Sequence, residues 1–358
     1  MGFVKRVWEK FKQSPLPFIL AIFIFSRIAL LVTAWFAGYY LPNPTYIKYI
    51  DRGWFLSPHY WIDIWTHWDG RWYLDIAMNG YFVLDDIDEI YSSVAFFPLF
   101  PYIVKIVSLI VPKVILSQSV YLLIGLILNN LFFISGLYFL YRLTDEFFHS
   151  ETLNKGIIVL VVAYPAAFYF SCFYTESLFF LLSMLSLYAA KHQRWRLTTL
   201  FAALLTITRP QGILIVIPIA ILLMQSMQWK LKNFPLRALW LLLVPLPLLL
   251  HLYYMKVITG DFLAPITAQA AWGKDAKNIV ENFYTLFFDP GGNVFKVDAF
   301  LSYAFMALAI AALFILPSPA YGIFAMLILL VPIASGTSVS MTRYITVAFP
   351  AFIALGIA

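Results

Sequence analysis

The chain has a single cysteine, Cys172, in 358 residues, and it lies inside an apolar run. One thiol excludes an intramolecular disulfide framework and a cysteine-based metal site. Charge is equally scarce. Only 12% of residues are Asp, Glu, Lys or Arg, about half the roughly 25% of a soluble domain. The histidines His59 and His67 lack the HExxH spacing of a helical zinc site. No phosphate loop, dinucleotide fingerprint or Gly-x-Ser-x-Gly elbow is present. No Asn-x-Ser/Thr sequon occurs, because Pro44 spoils Asn43-Pro44-Thr45.

What is abundant is apolar. Hydrophobic residues make up 62% of the chain and aromatics 19%, with a mean hydropathy of +0.84. Many apolar runs approach the ~20 residues that span a bilayer. Candidate spans are 17–40, 95–111, 119–141, 156–171, 176–190, 197–208, 211–227, 236–255, 299–316, 319–335 and 344–358. The run 17–40 exceeds the ~7–15 residues of a signal-peptide core and lacks a small-residue cleavage site, so it is expected to be retained. This composition defines an all-α polytopic membrane protein. One membrane domain over 1–358 is the simplest organisation.

Lys and Arg give the expected orientation. They cluster at Lys5, Arg6, Lys10 and Lys12, at Lys191, Arg194 and Arg196, and at Lys230, Lys232 and Arg237. These segments are expected in the cytoplasm, which accounts for the net charge of +6 without a nucleic-acid partner. Loops 41–94 and 256–298 then lie outside. Loop 41–94 holds eight of the chain's 18 acids, which marks a specialised surface. One conflict arises. If 95–111 crosses fully, the parity of 142–155 is wrong. Pro98, Pro101 and Pro112 allow it to be re-entrant or interfacial instead.

The stretch His67-Trp68-Asp69-Gly70-Arg71-Trp72-Tyr73 stands out in the first loop: an acid flanked by aromatics just outside a bilayer. Charges within membrane segments are costly and commonly functional. Here they are Arg27, Lys105, Glu176, Arg209 and Arg343. A carboxylate can take the proton of an attacking hydroxyl. Arginines can hold a phosphate through bidentate hydrogen bonds. Aromatic faces suit the apolar side of a sugar ring. The structural readings compete with these. Asp69 could cap a helix or pair with Arg71. Asp63 could be structural or reactive. Asp75 and the 85–89 acids suit a solvated face. Glu176 and Arg209 could simply pair, and Arg27 could hold the bundle.

Six segments taken in order resemble one family. They are HWDGRWYLDIAMNGY at 67–81, AFFPLFP at 95–101, YPAAFYFSCFYTESLFFLL at 164–182, TRPQG at 208–212, GDFLAP with QAAWGK at 260–274, and SMTRYITVAFP at 340–350. Together they resemble the PIG-V-like mannosyltransferases of the GT-C superfamily. The resemblance implies a multi-span GT-C bundle with a large first extracytoplasmic loop. It implies transfer of a hexose, usually mannose, from a polyprenyl-phosphate donor to an acceptor hydroxyl, with inversion. It makes Asp69 the base. Trp68, Arg71, Tyr73, Glu176, Arg209, Gln211, Trp272, Arg343 and Tyr344 fall on family motifs and are placed around donor and acceptor.

Two departures stand out: His67 where the family commonly has Arg, and Lys274 where Trp-Gly-Arg is usual. Lys274 keeps the charge but loses the planar fork. No cofactor is implied, and a divalent metal is neither required nor excluded. Expected partners are the lipid bilayer, the lipid-linked donor, and a lipid, glycan or protein acceptor. The missing sequon suggests a prokaryotic plasma membrane. The competing function is a transporter or flippase of a lipid-linked sugar. Such proteins often carry internal repeats, and none is visible between the halves. An inactive scaffold is a further alternative, against which the retained charges count.

Overall fold

The computed structural model describes residues 13–40, 56–81, 93–269, 281, 284, 288, 293–334 and 340–358. Among them there are helices and no strands. In chain order the α-helices are α1 (Leu16–Tyr40), α2 (Tyr60–Asp63), α3 (Gly70–Asn79), α4 (Leu99–Ser108) and α5 (Gln118–Phe148). Then come α6 (Glu151–Ala163), α7 (Glu176–Lys191), α8 (Trp195–Thr206), α9 (Val216–Ser226) and α10 (Leu246–Thr259). The last are α11 (Ala264–Thr267), α12 (Asn293–Ile315), α13 (Pro319–Ala334), α14 (Met341–Ile345) and α15 (Phe349–Ile357). Four segments are long and apolar enough to cross a membrane: Leu16–Ala37, Gln118–Phe148, Leu236–Thr259 and Lys296–Ile315. The other apolar runs form shorter helices. Many side chains on the bundle's outside are large and apolar, with Leu109, Ile110 and Phe314 each at least 78% exposed. Such a surface is stable only against lipid or another apolar partner.

Hydrogen bonds fix which end of each helix is which. At the start of α5, Gln118 Nε2 donates to the Leu56 carbonyl at 2.8 Å, and the Ser119 and Ser57 hydroxyls lie 3.0 Å apart. That is the loop end of the bundle. At the far end of α5, Glu146 pairs with Lys191 and lies 3.2 Å from His192 Nε2. That is the basic end. The turn into α6 is held there by Asn154 Nδ2 donating to Asp145 Oδ1 at 2.9 Å. Helix α7 therefore runs parallel to α5, from Glu176 at the loop end to Lys191 at the basic end. Its 16 residues cover about 24 Å. Helix α8 returns toward Arg209. Ser318 Oγ donates to Gln225 Oε1 at 2.7 Å, so α9 ends where α13 begins.

The topology resolves the parity conflict. Run 95–111 contains only the ten-residue helix α4, about 15 Å long, half of a ~30 Å hydrocarbon layer. It does not cross, and α5 starts on the same side as the first loop. Pro98 stands at the N-cap and Pro101 in the first turn, where missing N–H groups cost nothing. Composition alone left a longer span open: Phe96, Phe97 and Phe100 are core side chains, packed on neighbours rather than on lipid.

The core lies between α5, the 3-10 segment Ala167–Phe170, and α7. Phe133 and Phe170 stack at 4.1 Å between centroids. Helices α5 and α7 approach closely at Gly136, where a Cβ would sit 2.4 Å from the Phe180 ring. Small residues at such contacts let helix backbones approach in membranes. Arg27 of α1 donates to Ser171 Oγ at 2.7 Å and to the Ala167 carbonyl at 3.3 Å. Its guanidinium also sits over the rings of Phe23 and Phe133. Arg27 thus holds α1 to the bundle, the structural role weighed against function.

Candidate functional site

The loop before α3 is held by an acid at its base. Asp63 is buried, and its Oδ1 accepts from the Leu56 and Ser57 backbone N–H groups at 2.8 and 3.1 Å. Its Oδ2 lies 2.9 Å from His67 Nε2. Both oxygens are therefore spent on the loop, which gives Asp63 the structural of its two roles. Farther along, the Phe173 N–H donates to the Trp65 carbonyl at 2.8 Å. The Tyr174 hydroxyl donates to the His67 carbonyl at 2.7 Å. Trp68 then adopts a left-handed backbone, φ 55°, uncommon for a bulky residue and a mark of local constraint. This turn delivers Asp69.

Asp69 occupies the N-cap position of α3, yet its side chain makes no capping hydrogen bond. It accepts instead from Arg343 Nη1. Arg71, the other expected partner, lies 3.7 Å from Asp75 one turn along α3. Burial pushes the Asp75 carboxyl above its ordinary value, with Arg71 pulling it down.

Arg343 joins two acids. Its Nε donates to Glu176 Oε1 at the start of α7, while its Nη1 serves Asp69. Arg209, just past α8, donates Nη1 to the same Glu176 oxygen at 2.7 Å. The result is a continuous chain, Asp69–Arg343–Glu176–Arg209. Two carboxylates balance two guanidiniums. Such balance is what makes buried charge tolerable. Side-chain exposure is 0% for Glu176, 8% for Arg209, 9% for Arg343 and 24% for Asp69. The chain thus runs from a fully buried acid to one that reaches an opening. Aromatic faces support it. Arg343 lies 4.3 Å from the Tyr174 ring centre and 5.6 Å from that of Tyr169. Arg209 lies 4.9 Å from that of Tyr344. These are cation–π distances.

A cavity of about 130 Å³ opens over the exposed end of the chain. Asp69, Tyr73, Arg209, Gln211, Arg343 and Tyr344 line it together with Phe96, Phe97 and Gln269. Burial pushes the Tyr73 hydroxyl up to about 12, so it stays protonated at neutral pH. Gln211 Oε1 is buried without a hydrogen-bond partner among the described residues. Gln269 Nε2 donates to the Ala95 carbonyl at 3.1 Å, tying α11 to the aromatic segment 93–97.

Seven of the residues singled out from sequence therefore converge: Asp69, Tyr73, Glu176, Arg209, Gln211, Arg343 and Tyr344. Trp68 is 47% exposed beside them. Arg71 faces Asp75 on α3. Trp272 lies outside the described residues, as do Lys274 and the 85–89 acids. Sequence reasoning missed Asp298. It is buried in α12 and accepts from the Thr342 backbone and side chain, which fixes the helix carrying Arg343. Its signal was an acid immediately before the apolar run 299–316.

One glycine sets the position of Arg209 and Gln211. A Cβ on Gly212 would lie 2.1 Å from the Leu205 carbonyl oxygen of α8. Neither partner there is a flexible side-chain tip. Gly212→Ala is expected to cost about 1–3 kcal/mol through overpacking. A lower midpoint in thermal unfolding of purified protein checks it; an unchanged midpoint would show that the backbones separate freely.

The geometry defines a helical membrane protein with an acid–arginine chain ending in a small polar cavity at one end of the bundle. The sequence profile of the PIG-V mannosyltransferases matches residues 55–258, and the chain belongs to that family. Over 118 residues, 32% of this chain, it is 30% identical to GPI mannosyltransferase 2 of Drosophila pseudoobscura pseudoobscura. Over 116 residues it is 28% identical to the protein of the same name from Drosophila melanogaster. Each alignment covers 24% of the relative's length. No solved structure matches the chain. The family match takes in Asp69, Glu176 and Arg209 but stops before Arg343, which the fold brings to the same place.

Proposed function

We propose that the protein is a GT-C-type mannosyltransferase that moves a hexose, mannose by family, from a polyprenyl-phosphate carrier to an acceptor hydroxyl. The observation that carries the reading is Asp69. It is the most exposed carboxylate of the buried chain, it lines the cavity, and it is aimed by Arg343 rather than spent on a helix cap.

The chemistry is a single displacement with inversion. The acceptor oxygen forms a bond to the anomeric carbon, and its proton passes to Asp69. The bond from that carbon to the phosphate oxygen breaks, and the carrier phosphate leaves with the electron pair. A guanidinium has five N–H donors. The carboxylates engage two on Arg343 and one on Arg209, so further donors can meet charge developing on the phosphate. Tyr73, Tyr344 and Phe96 give the sugar ring an apolar wall. Gln211 Oε1 accepts from a sugar hydroxyl. Gln211→Leu is therefore expected to raise KM for the donor by about 10-fold or more and to narrow the difference between mannose and the deoxy-sugar lacking that hydroxyl. Equal discrimination by wild type and variant would remove Gln211 from sugar recognition.

The cavity lies at the end opposite Lys191, Arg194 and Lys230. With basic loops in the cytoplasm, transfer takes place at the extracytoplasmic face. Lack of a sequon supports a prokaryotic plasma membrane, although the two relatives named are fly proteins. Acceptors of the right class are lipids, glycans and proteins of that surface. Membranes containing the protein should transfer radiolabelled mannose from polyprenyl-phosphate mannose into a source-cell extract. Donor carried across the bilayer without label in a product would replace this reading with transport.

A further inference from the structure

A second concave surface, with none of its lining residues shared with the cavity, begins at the basic end. It runs between α8 and the 3-10 segment Leu236–Leu243, lined by Arg196, Thr199, Leu200, Ala203, Trp240 and Leu243, with a volume of about 560 Å³. Its order is informative. Residues 196, 199, 200 and 203 form one face of α8 by helical spacing. Both elements leave the basic end together, so the groove is charged at its mouth and apolar deeper in. Arg196 sits over the Trp240 ring at 5.4 Å. In a 3-10 helix residues three apart share a face, which puts exposed Arg237 in line with Trp240 and Leu243.

The charge here is unbalanced. Residues 177–260 contain no Asp or Glu, while Arg194, Arg196, Lys230, Lys232 and Arg237 all belong to this end. Glu146, an acid at this end, is already taken by Lys191, Tyr188 and His192. We propose that this groove binds an anionic phospholipid, its phosphate between Arg196 and Arg237 and its acyl chain along Leu200, Ala203 and Leu243. Trp240 marks the depth of the membrane interface, where its amphipathic ring is favoured. A polar head over an apolar slot fits an amphiphile better than a soluble phosphate. The site is independent of the transfer reaction.

The test is native mass spectrometry of the purified full chain in a non-ionic detergent, titrated with phosphatidylglycerol, phosphatidylcholine or glycerol 3-phosphate. One phosphatidylglycerol per chain should be retained in preference to phosphatidylcholine. Arg196→Gln and Arg237→Gln should each weaken retention roughly fivefold, the worth of one basic residue at an anionic surface. Arg196→Lys should weaken it less, and Lys232→Gln should leave it unchanged. Monodisperse gel filtration shows that each variant is folded. Equal retention of phosphatidylcholine, no effect of Arg196→Gln, or an equal loss with Lys232→Gln would overturn the groove. Competition by glycerol 3-phosphate at matched concentration would assign it to free phosphate instead.

Discussion

Asp69→Asn is expected to lower turnover by about 10²- to 10⁴-fold, the usual contribution of a general base, with donor KM and protein level little changed. The variant is chosen for what it preserves. Asn keeps the size and one carbonyl oxygen, so Arg343 Nη1 still finds an acceptor. Asp69 is also the least buried member of its chain, with 24% of its side chain exposed. Water therefore limits the cost of the unbalanced charge that remains. What asparagine cannot do is take a proton from the acceptor hydroxyl. The measurement is mannose transfer from polyprenyl-phosphate mannose, with kcat and KM separated. Near-normal kcat would remove Asp69 as base. Asp63 is no ready substitute, because Leu56, Ser57 and His67 occupy both its oxygens. That outcome would count against base-assisted transfer in this cavity altogether.

The sequence showed some of this and concealed the rest for definable reasons. Asp69 was legible because an acid between aromatics, after a first apolar run, has few structural explanations. The structure shows neither the cap nor the Arg71 pair that the sequence allowed. A cap and an Arg71 pair are local possibilities visible in sequence, whereas the actual partner, Arg343, lies 274 residues away. Glu176 and Arg209 were legible as costly intramembrane charges. Span counting brings these segments and Arg343 to one face, but that a single Glu176 oxygen serves both arginines depends on how the ends of α7, α8 and α14 pack, which a sequence does not reveal. The run 95–111 stayed open between crossing and re-entrant readings because aromatic residues packed into the core and residues facing lipid share a composition. Asp298 went unnoticed because its partner Thr342, through hydroxyl and backbone alike, belongs to a distant segment of the chain, and such pairings leave no mark in a sequence.

Glu176→Gln is expected to be the most destabilising single change at the site, by about 3–5 kcal/mol, the cost of breaking a buried pair and stranding a charge. The two arginines do not suffer equally. Arg343 keeps Asp69, but Arg209 has only Glu176 as its carboxylate partner among the described ion pairs. Arg209 is then a guanidinium with 8% side-chain exposure and no counter-charge. Its face on Tyr344 is present before and after the change and does not replace the lost counter-charge. The asymmetry makes the test specific. Adding Arg209→Met to Glu176→Gln removes the stranded charge and should restore stability, because a buried pair replaced by apolar groups of similar size is often neutral. Adding Arg343→Met instead strands Arg209 still and removes the counter-charge of Asp69, so it should restore nothing. Thermal unfolding of these three variants and of the Arg209→Met and Arg343→Met single variants in detergent gives the two couplings, with that of Glu176 to Arg209 expected to be the larger. Equal rescue by either arginine substitution would mean that Glu176 serves both alike and that Asp69 contributes little to holding Arg343. In that case the aim of Asp69 into the cavity would have to come from the strained turn at Trp68 alone.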